Sequence, residues 1–180
     1  FLHFGRWDYR KGTTEVLRAF SETFKDRDDV ELIASVENPY PFDGLKTTED
    51  RVKHHNIDTT NIKFIKFTPQ EEYVKYLQEG DVFVTCARSE GWNLPLIEAM
   101  ACGTVCVATD VGACREIISD FGIIVPKQDY LALFNSLLEI YNMNYEQLQN
   151  RSKRGISHVE SNFNINLMCM EYNKIWNLIK

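Results

Sequence analysis

Two segments of the sequence carry residue types that suit an anionic ligand rich in hydroxyl groups. The first is Gly5–Gly12, which places three cations between two glycines: Arg6, Arg10 and Lys11. Guanidinium and ammonium groups bind a diphosphate well, because each donates charge-assisted hydrogen bonds to phosphate oxygens. A charged, solvated loop explains the same residues equally well. The segment matches neither G-x-G-x-x-G nor a P-loop, so a simple dehydrogenase or NTPase loses its main support.

The second segment is Ser89–Gly103, whose sequence is S-E-G-W-N-L-P-L-I-E-A-M-A-C-G. Gly91 allows a sharp turn, and a helix is predicted to begin just after it. The first amides of such a helix are free to bind anions and hydroxyl oxygens, here those of Trp92, Asn93 and Leu94. Glu90 lies on the turn and Glu98 about one helical turn into the helix. Two carboxylates so placed can accept hydrogen bonds from the hydroxyls of a sugar or a ribose.

Three residues of this segment also have simpler interpretations. Glu98 would complement the positive end of the helix dipole, an effect worth roughly a few tenths of a kcal/mol. Glu90 would be a solvated loop acid. Trp92 would pack on the domain instead of stacking on a sugar or base.

Alternating strand and helix patterns indicate how the two segments are held. The predicted strands are Phe1–Phe4, Val30–Val36, Ile62–Phe67, Val82–Thr85, Val105–Thr109 and Ile123–Val125. The predicted helices are Thr13–Lys25, Thr47–His55, Pro69–Gln78, Pro95–Cys102, Tyr130–Tyr141, Tyr145–Glu160 and Ile165–Ile179. Short, near-continuous apolar runs between helices favour an α/β fold, a doubly wound parallel six-stranded sheet with helices on both faces. Ligands of such sheets bind beyond the carboxyl ends of the strands, where both segments are expected.

Composition narrows the class of protein. The 180 residues, with 44% hydrophobic and 26% charged residues, indicate one globular domain. The net charge of −6 argues against general nucleic-acid binding and against docking on an anionic membrane. No apolar run approaches the roughly 20 residues of a transmembrane helix, and no signal peptide is recognised. The cysteines form no C-x-x-C pair and are interpreted as reduced cytosolic thiols: Cys86, Cys102, Cys106, Cys114 and Cys169.

The Ser89–Gly103 segment, with its E-x7-E spacing of Glu90 and Glu98, resembles a motif of one family. That motif belongs to the C-terminal donor-binding domain of retaining glycosyltransferases with the GT-B fold. The family is the large family 4, which includes sucrose- and mannose-transferring enzymes. The opening G-R-x4-K-G is similar to the phosphate loop of that family. Val111–Ile118 is similar to its V-G-G-x-x-E-I-I segment, and Gly122–Pro126 is similar to its G-x-L-V-P segment. The resemblance runs from Phe1 to about Pro126 and implies a Rossmann-like half of a GT-B fold.

The resemblance implies a role for each matching residue. Arg6 and Lys11, beside Gly5, would grip the donor diphosphate, and Glu98 would hold the ribose hydroxyls. Glu90 would lie beside the transferred sugar and form the catalytic group together with Arg6 and Lys11. The amides of Gly91, Trp92, Asn93 and Leu94 would contact sugar hydroxyls and phosphate. Because cations and a helix N-terminus can stabilise a leaving diphosphate, no metal ion or other cofactor is expected.

The resemblance also implies partners. The donor would be a UDP- or GDP-hexose, and a glycan or other acceptor would bind a second, N-terminal domain. The chain opens in what reads as a strand already under way, so we expect residues 1–180 to be the C-terminal domain of a longer protein. That domain would have a core over 1–126 and helices over 127–180, and it would be inactive alone. The expected location is the cytoplasm, or its membrane surface through the missing domain.

Several alternatives stay open. A UDP-sugar epimerase half shares the architecture, although E-x7-E does not favour it. The other alternative is a degenerate module without transferase activity, which binds a nucleotide sugar or a protein partner. The intact site residues argue against it. The apolar stripe of Ile165–Ile179 either packs on this domain or lies exposed and drives self-association. Two loops that flank the nucleotide base in the family differ here. Ser35–Pro39 stands where the family often has a Gly-rich turn, and Lys66 stands where it has a Gly, so the identity of the base stays unassigned.

Overall fold

The computed structural model describes residues 1–40 and 44–179, in which six parallel strands form one sheet of order β3-β2-β1-β4-β5-β6. The strands are β1 (Leu2–Phe4), β2 (Leu32–Ser35), β3 (Ile62–Ile65), β4 (Val82–Thr85), β5 (Val105–Thr109) and β6 (Ile123–Val125). The helices are α1 (Thr13–Phe24), α2 (Thr48–His55), α3 (Gln70–Glu79), α4 (Leu94–Ala101), α5 (Cys114–Ile118), α6 (Tyr130–Tyr141), α7 (Tyr145–Asn162) and α8 (Ile165–Ile179). The predicted doubly wound, Rossmann-like α/β fold is confirmed.

Alternate residues of the inner strands enter two hydrophobic cores, one on each face of the sheet. In β4, Val82 and Val84 belong to the core that α1 and α6 cover, whereas Phe83 belongs to the core of α3, α4, α5 and α7. Every residue of β4 and β5 is buried. Burial on both faces explains why these strands read as apolar runs without alternation.

The boundaries of the predicted elements agree with the structure within two residues. Helix α4 begins at Leu94 and takes Pro95 in its first turn, where a missing amide hydrogen costs no helical bond. Helix α5 was not predicted, because its single short turn cannot display helical periodicity. The sequence predicts an irregular loop over 37–44, and residues 41–43 of that loop lie outside the described residues.

The last helix is separate from both cores. Helix α7 packs on α4 and contributes Val159 to the core, but α8 contains no buried residue. The apolar stripe of this helix is exposed to solvent, with Trp176 65% and Ile179 76% accessible. Of the two alternatives left by the sequence, packing on this domain is therefore wrong. Within the described ranges, no helix combines the length and hydropathy that a membrane crossing requires.

Candidate functional site

The Gly5–Gly12 loop continues from β1 as an ordered turn. The Gly5 amide donates to the Ser35 carbonyl at 3.0 Å. The Trp7 amide donates to the Val36 carbonyl at 2.9 Å, so the chain stays beside β2 beyond the strand. The Trp7 side chain is buried and donates from Nε1 to Thr14 Oγ1 at 2.8 Å, which ties the loop to α1.

Gly12 ends this loop where it meets the chain after β4. Its φ is +64°, and a Cβ would lie 2.0 Å from the Cys86 carbonyl oxygen, so only glycine fits there. Further along, the Arg88 amide donates to the Arg10 carbonyl at 2.8 Å. The Arg10 guanidinium in turn donates to the Ser89 carbonyl at 3.0 Å. The two segments singled out in the sequence are thereby joined.

These backbone contacts bring an acid against two cations. Lys11 Nζ lies 2.5 Å and Arg10 Nη1 lies 3.1 Å from Glu90 Oε1. The side chains of Glu90 and Lys11 are only 10% and 19% exposed, whereas that of Arg10 is 44% exposed. The structure thus pairs Lys11, predicted at the diphosphate, with Glu90, predicted at the sugar. Arg10 was not assigned to the site, and its membership of the basic loop was the only signal for it.

The turn that carries Glu90 rests on the chain after β5. Gly112, in the V-G-A-C segment, has φ +52°, and a Cβ on it would lie 2.1 Å from the Glu90 carbonyl oxygen. Asn93 takes the left-handed conformation with φ 54° just before α4, and its buried side chain donates to Cys114 Sγ at 3.5 Å. In the first turn of α4, Pro95 has no amide hydrogen and the Leu96 amide donates to the Asn93 carbonyl at 3.0 Å, so Leu94 is the first residue whose amide bonds to no described residue.

Trp92 lies at the same turn, against α7. Its ring meets that of Phe163 edge-on, with centroids 5.5 Å apart, and it remains 43% exposed. Packing is therefore the role that this geometry favours for Trp92.

A cavity of about 360 Å³ lies beyond the carboxyl ends of β1, β2 and β3. We call it the strand-edge cavity, and its walls include Gly5, Arg6, Ser35, Phe67, Tyr73 and Glu98. The Arg6 side chain is 48% exposed, and its Nη2 lies 3.6 Å from Asp8 Oδ2. Glu98 accepts a hydrogen bond from the Tyr73 hydroxyl at 2.7 Å. The sequence did not single out Tyr73, because nothing in its spacing predicts which residue of α4 it meets.

The site therefore has two parts. Among the described residues, Arg6 and Glu98 line the strand-edge cavity, whereas Lys11 and Glu90 do not. The two parts meet at Gly5, which lines the cavity and where a Cβ would lie 3.8 Å from Lys11 Cδ.

His3, on β1, lies beneath the surface and contacts Thr13, which follows the Gly5–Gly12 loop. It is buried, with Nδ1 2.8 Å from the Val84 carbonyl oxygen and Nε2 3.1 Å from Thr13 Oγ1. Burial lowers the pKa of His3 from 6.5 to about 4; the Val84 contact opposes this shift and the nearby charge of Lys11 adds to it. His3 is therefore neutral at pH 7, and it acts as a packed hydrogen-bonding residue.

Possible metal ligands and cysteine thiols are scattered over the part of the chain that the structure describes. No group of three or more His, Cys, Asp or Glu side chains comes together there to hold a metal ion. All five cysteines are free thiols.

Known proteins are similar to this chain in both sequence and fold. Curated relatives include the alpha-monoglucosyldiacylglycerol synthase of Streptococcus pneumoniae, which is 27% identical over 154 residues, or 83% of this chain and 34% of that protein. The first three such relatives are matched over 34%, 32% and 35% of their length, so the chain spans about a third of them.

Solved structures agree. The C-terminal domain of a group 1 glycosyl transferase from Francisella tularensis superposes with a TM-score of 0.77 and 28% identity, covering 91% of this chain and 86% of that one. Sucrose-phosphate synthase from Thermosynechococcus elongatus shares the fold with a TM-score of 0.80 and 24% identity, over 99% of this chain and 45% of that one. The family model described as "Glycosyl transferases group 1" matches residues 1–143. The chain belongs to the group 1 glycosyl transferases, and its single Rossmann-like sheet is the half of a GT-B fold that the resemblance implied.

Proposed function

We propose that the chain is the nucleotide-sugar-binding half of a retaining, metal-independent glycosyltransferase. It would move a hexose from a UDP- or GDP-sugar to a glycan or other acceptor. One observation carries the proposal: Gly5, which lines the strand-edge cavity together with Arg6 and Glu98, lies against the side chain of Lys11, the partner of Glu90. This is the edge at which parallel α/β sheets bind their ligands.

The strand-edge cavity suits the nucleoside of the donor. Its volume of about 360 Å³ lies in the range of roughly 300–1,000 Å³ usual for small-molecule sites. Glu98 offers carboxylate oxygens to the ribose hydroxyls. Phe67 presents a ring that is 88% exposed at the cavity wall, which suits stacking on a base.

The loop cations suit the diphosphate. When the bond between the anomeric carbon and the β-phosphate oxygen breaks, the phosphate takes the electron pair and gains negative charge. Arg6, Lys11 and the Leu94 amide at the start of α4 would stabilise that charge. Each charge-assisted hydrogen bond contributes roughly 1.5–3 kcal/mol. Metal independence is part of the proposal for this reason.

Glu90 suits the transferred sugar. Its carboxylate can accept hydrogen bonds from sugar hydroxyls, while the backbone amides of residues 91–94 donate to hydroxyl and phosphate oxygens. In the transfer itself, the oxygen of the acceptor hydroxyl would bond to the anomeric carbon on the face that the diphosphate left, and the hydroxyl proton would pass to the departing phosphate oxygen. These roles make Glu90, Arg6 and Lys11 the proposed catalytic group.

The acceptor would bind elsewhere in a longer protein. The curated relatives are about three times as long as the matched region, which supports a second, acceptor-binding domain and an inactive isolated chain. The relatives' names include a monoglucosyldiacylglycerol synthase and a phosphatidyl-myo-inositol mannosyltransferase, which are lipid-directed activities of those proteins. We propose a cytoplasmic setting, supported by the five free thiols.

A thermal-shift screen of nucleotide sugars tests this function. We expect one UDP- or GDP-sugar to raise the melting temperature of the chain, with a smaller shift for Lys11→Ala and for Glu98→Ala. A ligand present at about 100 times its Kd adds roughly 2.7 kcal/mol, which is a measurable shift. If no nucleotide sugar shifts the wild-type chain, the proposal is wrong and a scaffold or partner-binding role takes its place.

A further inference from the structure

The hydroxyl of Tyr73 fixes one oxygen of a carboxylate in the strand-edge cavity. Tyr73 lies on α3 and Glu98 on α4, and the hydroxyl donates to Glu98 Oε2 at 2.7 Å. Both side chains are partly buried and both line the cavity. Within the described part of the chain, Glu98 Oε1 has no hydrogen-bond partner, so it is available to a ligand.

The ring of Tyr73 is itself held in place. It packs on Phe4 at the end of β1, with centroids 5.4 Å apart. Burial raises the pKa of Tyr73, and the hydrogen bond to Glu98 raises it further, so the hydroxyl keeps its proton and remains a donor. The helix and the strand together therefore aim a permanent donor at Glu98.

Tyr76, one helical turn further along α3, is a natural comparison. Its ring packs on the same Phe4, with centroids 6.2 Å apart. Its hydroxyl makes no hydrogen bond to any described residue, and Tyr76 is outside the lining of the strand-edge cavity. The two tyrosines thus share a helix and an aromatic contact, but only Tyr73 touches the candidate site.

We propose that Tyr73 is a positioning residue, which holds Glu98 so that Oε1 meets the ribose hydroxyls and thereby favours ribonucleotides over deoxyribonucleotides. A free glutamate loses rotamer freedom when it binds a ligand, and a carboxylate already fixed by a neighbour loses less. Each carboxylate oxygen has two acceptor positions, so the bond from Tyr73 leaves Glu98 able to accept from hydroxyls. This inference rests on the proposed function, in which Glu98 binds the ribose.

Calorimetric titration of three chains tests the inference: wild type, Tyr73→Phe and Tyr76→Phe. The titrants are UDP or GDP, whichever binds the wild type, and its 2′,3′-dideoxy analogue. We expect Tyr73→Phe to raise the Kd of the ribonucleotide about three- to tenfold, the cost of ordering one flexible side chain on binding, and to leave the dideoxy analogue within about twofold. Tyr76→Phe should leave both Kd values unchanged. On a Glu98→Gln background, Tyr73→Phe should have little further effect.

Two results overturn the inference alone. One is a Tyr73→Phe chain that binds the ribonucleotide as well as Tyr76→Phe does. The other is an equal loss for the ribonucleotide and the dideoxy analogue, which marks a purely structural role for the ring. A wild-type chain that binds neither UDP nor GDP overturns the proposed function, and this inference falls with it.

Discussion

Lys11 Nζ lies 2.5 Å from Glu90 Oε1, although 79 residues separate the two in the chain. Arg10 reaches the same oxygen at 3.1 Å, so one carboxylate holds two of the three loop cations. The pair is mostly shielded from solvent, which strengthens its attraction. In the proposed function, a diphosphate that binds Lys11 would compete with Glu90, and the carboxylate would then be free to bind the sugar.

Removing a cation from the loop should weaken diphosphate binding selectively. We expect Lys11→Ala, and likewise Arg6→Ala, to raise the Kd of UDP or GDP about tenfold or more, because each loses a charge-assisted hydrogen bond. The Kd of the free nucleoside should change much less. Lys63→Ala, which removes the same charge from an exposed position on β3, is the matched control. Equal losses for diphosphate and nucleoside would argue against the diphosphate role.

Substituting Gly112 should displace the turn that carries Glu90. A Cβ at this position, where φ is +52°, would meet the Glu90 carbonyl oxygen at 2.1 Å. We expect Gly112→Ala to lower the free energy of unfolding by about 1–3 kcal/mol in a urea titration. Gly91 is the control, because no atom outside its chain neighbours would lie within 4 Å of its Cβ. If Gly91→Ala destabilised the chain as much as Gly112→Ala, the close approach would not be the cause.

Buried His3 should make the protein less stable in mild acid. Its pKa is lowered to about 4, so between pH 6.5 and 4 the imidazole is protonated in the unfolded chain but neutral in the folded chain. Stability attributable to His3 is complete above pH 6.5 and falls as the pH drops through this window, by roughly 3 kcal/mol in all. Four exposed carboxylates, whose pKa values lie below 3.8, lose their contributions at lower pH: Asp50, Asp58, Asp110 and Asp120.

Urea titrations at several pH values measure this slope. His3→Gln should flatten the dependence between pH 6.5 and 4, whatever its effect at pH 7. His54→Gln, which removes an exposed imidazole, should keep the slope of the wild type. A slope that survives in His3→Gln would assign the acid sensitivity to another group.

The exposed helix α8 should cause self-association of the chain. Its apolar side chains are accessible along the whole helix, and surfaces of this kind seldom stay free in water. We expect the sedimentation coefficient to rise with protein concentration, and Trp176→Ser to reduce that rise. Tyr145→Ser, at another exposed aromatic residue on α7, should not. Sedimentation that does not depend on concentration would contradict this prediction.

The strands were predicted more closely than the contacts of the site. The predicted bounds of β4, β5 and β6 match the structure residue for residue, because each is a short apolar run that begins directly after a polar residue or a glycine: Asp81, Thr104 and Gly122. In β2, the prediction over 30–36 extends beyond the paired residues, because Val30 and Val36 are as apolar as the strand itself. Periodicity cannot show which apolar residues find a pairing partner.

The candidate site was predicted as a location, with its contacts left undetermined. Parallel strands align their carboxyl ends, so Lys11 and Glu90 were both expected at one edge. Their direct contact depends on side-chain rotamers and on the close approach of Gly12 to Cys86, which no spacing reveals. The bond between Tyr73 and Glu98 likewise depends on how α3 packs beside α4.

Titration calorimetry with UDP- and GDP-sugars, in buffer containing EDTA and again with Mg²⁺, tests the central claim most directly. The account predicts saturable heat with one of these donors in EDTA, a Kd that Mg²⁺ leaves within about twofold, and at least a tenfold weaker Kd for Lys11→Ala. No heat with any of the donors, or binding only when Mg²⁺ is present, would contradict it.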